Sequence, residues 1–314
     1  MGPLPVELIE ASRVAIDELI DILVRLASNP CKANHMRPAN HTRRKSEEPY
    51  LLGTDPEEGR RLETQHHLWA EAAHDLWDRA GFGPGARLLD LGCGPGFATL
   101  ELAARVGPEG RVLAVDESRR FIDALVREAG RLGVEQLTAR VERAQELQLE
   151  PASLDGAFAR WIFCFLRDPA PVIERVVSGL RPGGRLVIWD YLNYRATTLQ
   201  PRSAVFDRVL AAVKESWKPT GGDLDVGARL PGLVVKSGCR LVDLVPLVKF
   251  IRPGTGFWDW PTQFFFGYVP RLVEAGLLTE ADRRAFEAEW RAREQDPGTF
   301  LSSPPMIGII AEKT

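Results

Sequence analysis

Three glycines in five positions, Gly92-Cys93-Gly94-Pro95-Gly96, stand between an apolar stretch ending at Leu91 and an amphipathic one beginning at Phe97. Glycine at that density removes the β-carbons that would hold a ligand off the backbone. A helix that follows at once turns its unsatisfied N–H groups and positive dipole end toward the same spot. Capture of a small polar ligand is the chemistry predicted there. The second candidate group is Asp116, twenty positions after Gly96, at the end of the apolar run Arg111 to Asp116. An acid so placed at the tip of a second strand accepts both hydroxyl protons of a ribose. Its plain structural alternative is the N-cap of a helix from Arg119 to Leu132, a role that Ser118 can fill as well.

Spacing decides which ligands are excluded. A dinucleotide turn reads G-x-G-x-x-G with its third glycine inside the helix, whereas this one reads G-x-G-x-G and continues with Phe97 and Ala98. That opposes a nicotinamide oxidoreductase. A P-loop needs Gly-Lys-Ser/Thr at its end, which is missing here. With Asp90 ahead of it, the turn resembles the first motif of class I S-adenosylmethionine-dependent methyltransferases, in which it wraps the methionine part of the cofactor. Leu180-Arg181-Pro182-Gly183-Gly184, followed by the β-rich run Arg185 to Tyr191, resembles a second signature of that family.

The resemblance implies S-adenosylmethionine as cofactor; the lack of a CxxC or a His/Cys cluster at metal spacing argues against a metal site. The resemblance also implies contacts from Asp90, Gly92, Cys93, Gly94 and Gly96, from Asp116 and Glu117, from Ala144 and Gln145, from Arg160 and Trp161, and from Gln65 and Tyr50 ahead of the core. The chain departs from its relatives after the third strand, where Arg143 replaces the acid expected before Ala144, so the acceptor for the adenine amino group falls to Gln145 or Glu142. Arg160-Trp161-Ile162-Phe163 stands where many amino-methylating relatives carry an Asn/Asp-Pro-Pro-aromatic tetrad. Methylation of nucleobase or glutamine amino groups by that route is therefore disfavoured.

The implied fold is α/β, a Rossmann-like sheet, mostly parallel with its last strand antiparallel, helices on both faces, an N-terminal helical extension and a C-terminal insertion cap. A helix from Pro56 to Ala80, capped by Asp55, precedes the core and makes Tyr50, Arg61, Gln65 and His66 candidates for methionine or substrate contacts. Leu241 to Phe250 and Met306 to Ala311 read as strands six and seven, with Val226 to Gly238 as the helix between strands five and six. Two insertions, 192–225 and 251–305, follow strand ends and form the expected substrate cap. The second carries a run of aromatic residues from Phe257 to Tyr268. Acceptor contacts are assigned to Phe165, Tyr194, Trp260, Phe264 and Phe265; the alternative is that these rings glue the insertion to the sheet. His66, His67, Asp190 and Asp259 are candidate bases, and the sequence chooses none.

Residues 4–27 place Leu8, Ile16, Leu19 and Leu23 on one helical face, and 30–48 form a basic, nearly apolar-free linker, giving an extension over 1–48 and a methyltransferase domain over 49–314. Met36 offers an alternative start. The leading helix either packs on the core or mediates self-association as a homodimer. A net charge of −3 gives no field that would gather nucleic acid or an anionic membrane. Four scattered cysteines and the lack of a long apolar run point to the reducing cytoplasm. The expected activity is methyl transfer to O, N or C of a small, partly apolar acceptor of secondary-metabolite or quinone-like type. The alternative is a catalytically degenerate scaffold or regulatory protein of the same fold.

Overall fold

In the computed structural model, residues 52–54 and 56–314 are described and form one compact unit. Tyr50, Asp55 and the leading segments 4–27 and 30–48 lie outside the described residues.

The chain first forms helix α1 (Pro56–Ala80), whose buried side is Trp69, Ala73, Leu76, Trp77 and Ala80, a stripe at helical spacing. The alternating β/α core follows: β1 (Arg87–Leu91), α2 (Phe97–Val106), β2 (Arg111–Asp116), α3 (Arg119–Leu132), β3 (Leu137–Val141), β4 (Leu154–Arg160), α4 (Ala170–Gly179) and β5 (Leu180–Tyr191). Leu88 to Leu91 are buried without alternation because β1 lies mid-sheet, paired on both edges by parallel neighbours. The remaining elements are β6 (Thr198–Gln200), α5 (Ala204–Trp217), α6 (Leu230–Lys236), β7 (Cys239–Leu247), β8 (Phe250–Ile251), α7 (Asp259–Glu274), α8 (Glu280–Glu294), β9 (Phe300–Ser302) and β10 (Met306–Lys313).

Seven strands make the main sheet in the order β3-β2-β1-β4-β5-β10-β7, with β10 antiparallel to both its neighbours. This is the expected Rossmann-like sheet, β7 and β10 being its sixth and seventh core strands. Three local expectations are corrected. The fifth strand starts at Leu180 rather than Arg185: the pairing jumps from Leu154↔Leu180 to Gly156↔Arg185, so the Pro-Gly-Gly segment bulges out within the strand. The sixth ends at Leu247, and Phe250–Ile251 joins a different sheet. Only Leu230–Lys236 of the expected helix 226–238 is α-helical; a 3₁₀ turn at Val226–Ala228 precedes it, and Pro231 sits in the first turn, where its missing N–H costs nothing.

The second sheet, β6-β9-β8, joins the two insertions. Its middle strand β9 pairs with β6 from the first insertion and with β8 at the start of the second. Phe206 of α5, Phe265 of α7, and Phe286 and Trp290 of α8 pack ring on ring inside this cap. The cap is thus one body.

Candidate cofactor and acceptor site

The glycine turn, Asp116, Arg160 and Asp190 all lie at the carboxyl ends of parallel strands β1, β2, β4 and β5, where open α/β sheets place their ligands. Backbone bonds from Gly92 and Cys93 to the Val115 carbonyl, 2.8 and 3.1 Å, tie the turn to β2. Asp116 completes the clasp. One of its carboxylate oxygens accepts the Gly94 N–H at 2.9 Å and the other accepts the Ser118 N–H at 2.8 Å. Burial pushes the Asp116 carboxyl up, and those two amides oppose the shift. Each oxygen keeps a further lone pair. Ser118 is the N-cap of α3, its hydroxyl accepting the Phe121 N–H, so Asp116 is spared that task.

Two of the glycines face different surroundings. A Cβ on Gly96 would lie 2.2 Å from Leu125 Cδ1, so that glycine is needed for packing. A Cβ on Gly94 would meet nothing within 4 Å. Its φ of +55° nonetheless belongs to the left-handed region, and the bare backbone there is open to a ligand. Cys93 gives its thiol to the Gly94 carbonyl, and burial pushes that thiol up.

After β3, Ala144 opens a 3₁₀ turn and so has an N–H without an intrahelical partner. Glu142 is committed to its own chain, accepting the Gln148 N–H at 2.9 Å. Gln145 is exposed, as is Glu117, which lies 3.8 Å from Arg143. Of the two residues offered as the adenine acceptor, Gln145 is the one left unengaged.

A polar chain that the sequence did not reveal runs beneath the turn. Arg160 Nη2 lies 3.0 Å from His66 Nδ1, His66 Nε2 3.1 Å from Glu101 Oε1, and Glu101 Oε2 2.8 Å from His74 Nε2. Burial would raise Glu101, yet hydrogen bonds from His66 and His74 hold it far below the usual carboxylate range. Burial lowers His66, which fits a neutral ring accepting from Arg160 at Nδ1, with Nε2 beside Glu101. Asp90 is buried, raised by burial to about 6, and accepts the Thr99 hydroxyl at 2.6 Å. Thr99 and Glu101 both sit on α2, downstream of the glycine motif. The one signal for them was their place on the first turns of the helix that the motif announces.

Trp161 adopts a left-handed φ of +53°, a backbone strain of the kind that accumulates at ligand sites. Its indole N–H reaches the sulfur of Met306, and its ring stacks toward Tyr191 at 6.4 Å. Tyr191 meets Tyr194 edge to face; Phe165 meets Trp217, Trp217 meets Tyr268, and Tyr268 stacks on Phe264. Burial pushes the Tyr194 hydroxyl up. Rings from β4, β5 and the cap therefore form adjoining groups at the strand ends. Trp260 faces another way: its N–H donates to Gln65 Oε1 at 2.9 Å and its ring meets Trp69, so it fastens the cap to α1. Gln65 Oε1 also accepts from Arg61 at 3.0 Å, which turns its amide N–H₂ away from both donors.

Several assignments are corrected by this packing. Phe265 lies in the cap interior against Phe206, Phe286 and Trp290, so it is cap glue and not an acceptor contact. His67 is exposed, its Nδ1 on the Glu63 carbonyl, and Asp259 is exposed in the first turn of α7. Asp190 is fully buried and accepts the amides of Tyr191 and Cys164. None of the four candidate bases stands free at the strand ends. Among the described residues there is no cluster of His, Cys, Asp and Glu suited to a metal ion, and no helix long and apolar enough to cross a membrane.

A methyltransferase domain family matches residues 83–218. An uncharacterised transposon protein of Streptomyces fradiae is 30% identical over 173 residues, 54% of this chain and 48% of that protein. An O-methyltransferase of Penicillium expansum is 26% identical over 62% of this chain and 67% of its own length. The chain spans about half the length of several curated relatives it matches. A methyltransferase-like structure from Bacillus halodurans superposes with a TM-score of 0.54 at 15% identity, covering 76% of this chain and 97% of that one, which shows the shared fold. Residues 83–218 thus match a methyltransferase domain, and the sheet around them has the fold of solved methyltransferase-like structures.

Proposed function

We propose that this protein transfers the methyl group of S-adenosylmethionine to a small, partly apolar acceptor of phenol, enol or hydroquinone type. The observation that carries the reading is the glycine turn, bare at Gly94 and clasped by Asp116, with aromatic rings of β4, β5 and the cap gathered at the same strand ends. Bound there, S-adenosylmethionine supplies a methyl already activated by its sulfonium. The protein's share is to align the acceptor and keep water away. Asp116 and the turn's backbone hold the nucleoside side, while Trp161, Tyr191, Tyr194 and Phe264 offer flat faces to a planar acceptor. Because none of the four candidate bases stands free at the strand ends, acceptors acidic enough to lose their proton unaided are favoured over amines and alcohols. The O-methyltransferase relative agrees with this reading.

The test is a screen of quinols, phenols and polyketide-like enols with S-adenosylmethionine, read by product mass. A gain of one methyl on acidic hydroxyl compounds supports the reading. Binding of S-adenosylhomocysteine with no methylation of any acceptor would favour a regulatory scaffold instead.

A further inference from the structure

Of the eight indole N–H groups, three donate to oxygen, from Trp258, Trp260 and Trp290, and three, in Trp69, Trp77 and Trp217, are buried with no acceptor among the described residues. The remaining two converge on one atom. Trp161 Nε1 lies 3.2 Å and Trp189 Nε1 3.3 Å from the sulfur of Met306, a side chain only 1% exposed. A thioether is a weak acceptor, but this one is sealed from solvent, and burial alone did not force the contact, since three other indoles do without one. Met306 opens β10, where the chain comes back from the cap, and pairs with Tyr191 of β5 and Leu247 of β7. Its sulfur thus fastens the end of β4 to the point where cap and sheet meet.

Trp161 is the residue that needs holding. Its φ of +53° is one of two left-handed values among the non-glycine residues described, and such a conformation persists only where the surroundings over-determine it. The backbone anchor is its N–H, which donates to the Trp189 carbonyl at 2.9 Å. The ring anchor is Met306. Held so, the indole lies 5.2 Å from Trp189, 5.0 Å from the Arg160 guanidinium carbon and stacked at 6.4 Å toward Tyr191. The next residue, Ile162, packs so near the glycine turn that a Cβ on Gly92 would lie 2.7 Å from its Cδ1. Trp161 therefore stands between the glycine turn and the rings at the end of β5. We infer that Met306 is a positioning residue for methyl transfer: by accepting both indole N–H groups it fixes Trp161 as the wall against which a planar acceptor lies, so that the acceptor is aligned and not merely held. The inference rests on the methyltransferase reading.

The sulfur can be removed without changing the shape around it. Met1, Met36 and Met306 are the chain's methionines, so biosynthetic replacement of methionine by norleucine exchanges one sulfur for a methylene among the described residues. Met306→Leu, nearly equal in volume, is the genetic counterpart. In wild type, exchange of the indole N–H groups with deuterium, followed by nuclear magnetic resonance and assigned through Trp161→Phe and Trp189→Phe, should be slow for both. Either replacement should speed exchange at half-buried Trp161 by about tenfold or more and leave fully buried Trp189 protected. With S-adenosylhomocysteine bound, affinity for the planar phenol 1-naphthol should fall about 3- to 10-fold, as expected for one lost hydrogen bond, while S-adenosylhomocysteine affinity stays within about twofold. Trp161→Phe, which deletes the donor, should lose at least as much, and adding Met306→Leu to it should lose no more. Unchanged exchange at Trp161 overturns the inference, because its neighbours alone then hold the ring. Losses of naphthol affinity that add in the double variant overturn it too, as does a lower melting temperature with naphthol affinity unchanged, which makes Met306 a packing residue only. A wild-type protein that binds S-adenosylhomocysteine but not 1-naphthol overturns the wall, and with it the inference, while the cofactor site stands; one that binds neither overturns the methyltransferase reading itself. Should Met306→Leu not fold, the norleucine protein decides by the same comparison.

Discussion

Gly94 and Gly96 look alike in the motif and differ in what surrounds them. Alanine at Gly96 drives a methyl into Leu125, so the melting temperature should drop sharply. Alanine at Gly94 meets open space and should cost about 1–2 kcal/mol for its left-handed backbone. It should nonetheless abolish S-adenosylhomocysteine binding in titration, and a Gly94→Ala protein that still binds would remove the turn from the site. Asp116→Ala leaves the Gly94 and Ser118 amides without their acceptor and removes any ribose contact, so both melting temperature and affinity should fall, with the affinity loss about 1.5–3 kcal/mol. Asp190 carries a pH signature. Burial raises its carboxyl from 3.8 to about 7, with the Tyr191 and Cys164 amides opposing. Between those values the folded chain holds a proton the unfolded chain has lost, so this residue's contribution to stability falls as pH rises from about 4 to about 7. Asp190→Asn, which stays neutral, should gain on wild type in melting temperature between about pH 5 and about pH 8. A difference that stays constant over that range would mean the carboxyl titrates normally.

Elements whose pattern is local were readable from the chain, and those whose partner is distant were not. The strand, glycine turn and helix around Gly92 to Gly96, the acid ending β2, and the capping of α3 by Ser118 follow from neighbours a few residues apart. The aromatic run 257–268 shows the limit. Its composition announces a cluster of rings, yet which ring faces which element depends on residues far along the chain. Trp260 answers to Gln65, 195 positions away, and Phe265 to Phe206 and Trp290. The buried chain from Arg160 to His74 was hidden for the same reason, since it joins β4, α1 and α2. Within α7 the faces should separate by measurement. Phe265→Ala, which empties the cap interior, should cost about 3–5 kcal/mol and show as a lower melting temperature. Phe264→Ala, half-buried beside Tyr268, should leave melting nearly unchanged and weaken acceptor turnover. Equal losses of stability in the two variants would place both rings in the core.

At the scale of the molecule, α1 sits between sheet and cap and binds both. Trp69 meets Trp189 of β5 on one side and Trp260 and Phe257 of the cap segment on the other, edge to face at 5.2 to 5.6 Å. The sheet β6-β9-β8 stitches the cap from segments that leave the main sheet after β5 and β7 and return at β10. Pulling the cap away would therefore strip Trp69, break the Trp260–Gln65 hydrogen bond and leave apolar rings in water, which costs far more than a mobile lid can offset. The eight tryptophans divide evenly as reporters: Trp69, Trp77, Trp161 and Trp189 belong to α1 and the main sheet, and Trp217, Trp258, Trp260 and Trp290 to the cap. Unfolding in urea should then give one transition, with tryptophan fluorescence and far-ultraviolet circular dichroism sharing a midpoint. Because S-adenosylhomocysteine binds only the folded chain, it should move that single midpoint upward as a whole. An early fluorescence step ahead of the dichroism, with the ligand shifting only the later one, would show instead that the cap opens independently, and acceptor entry would then be governed by cap opening rather than by a preformed site.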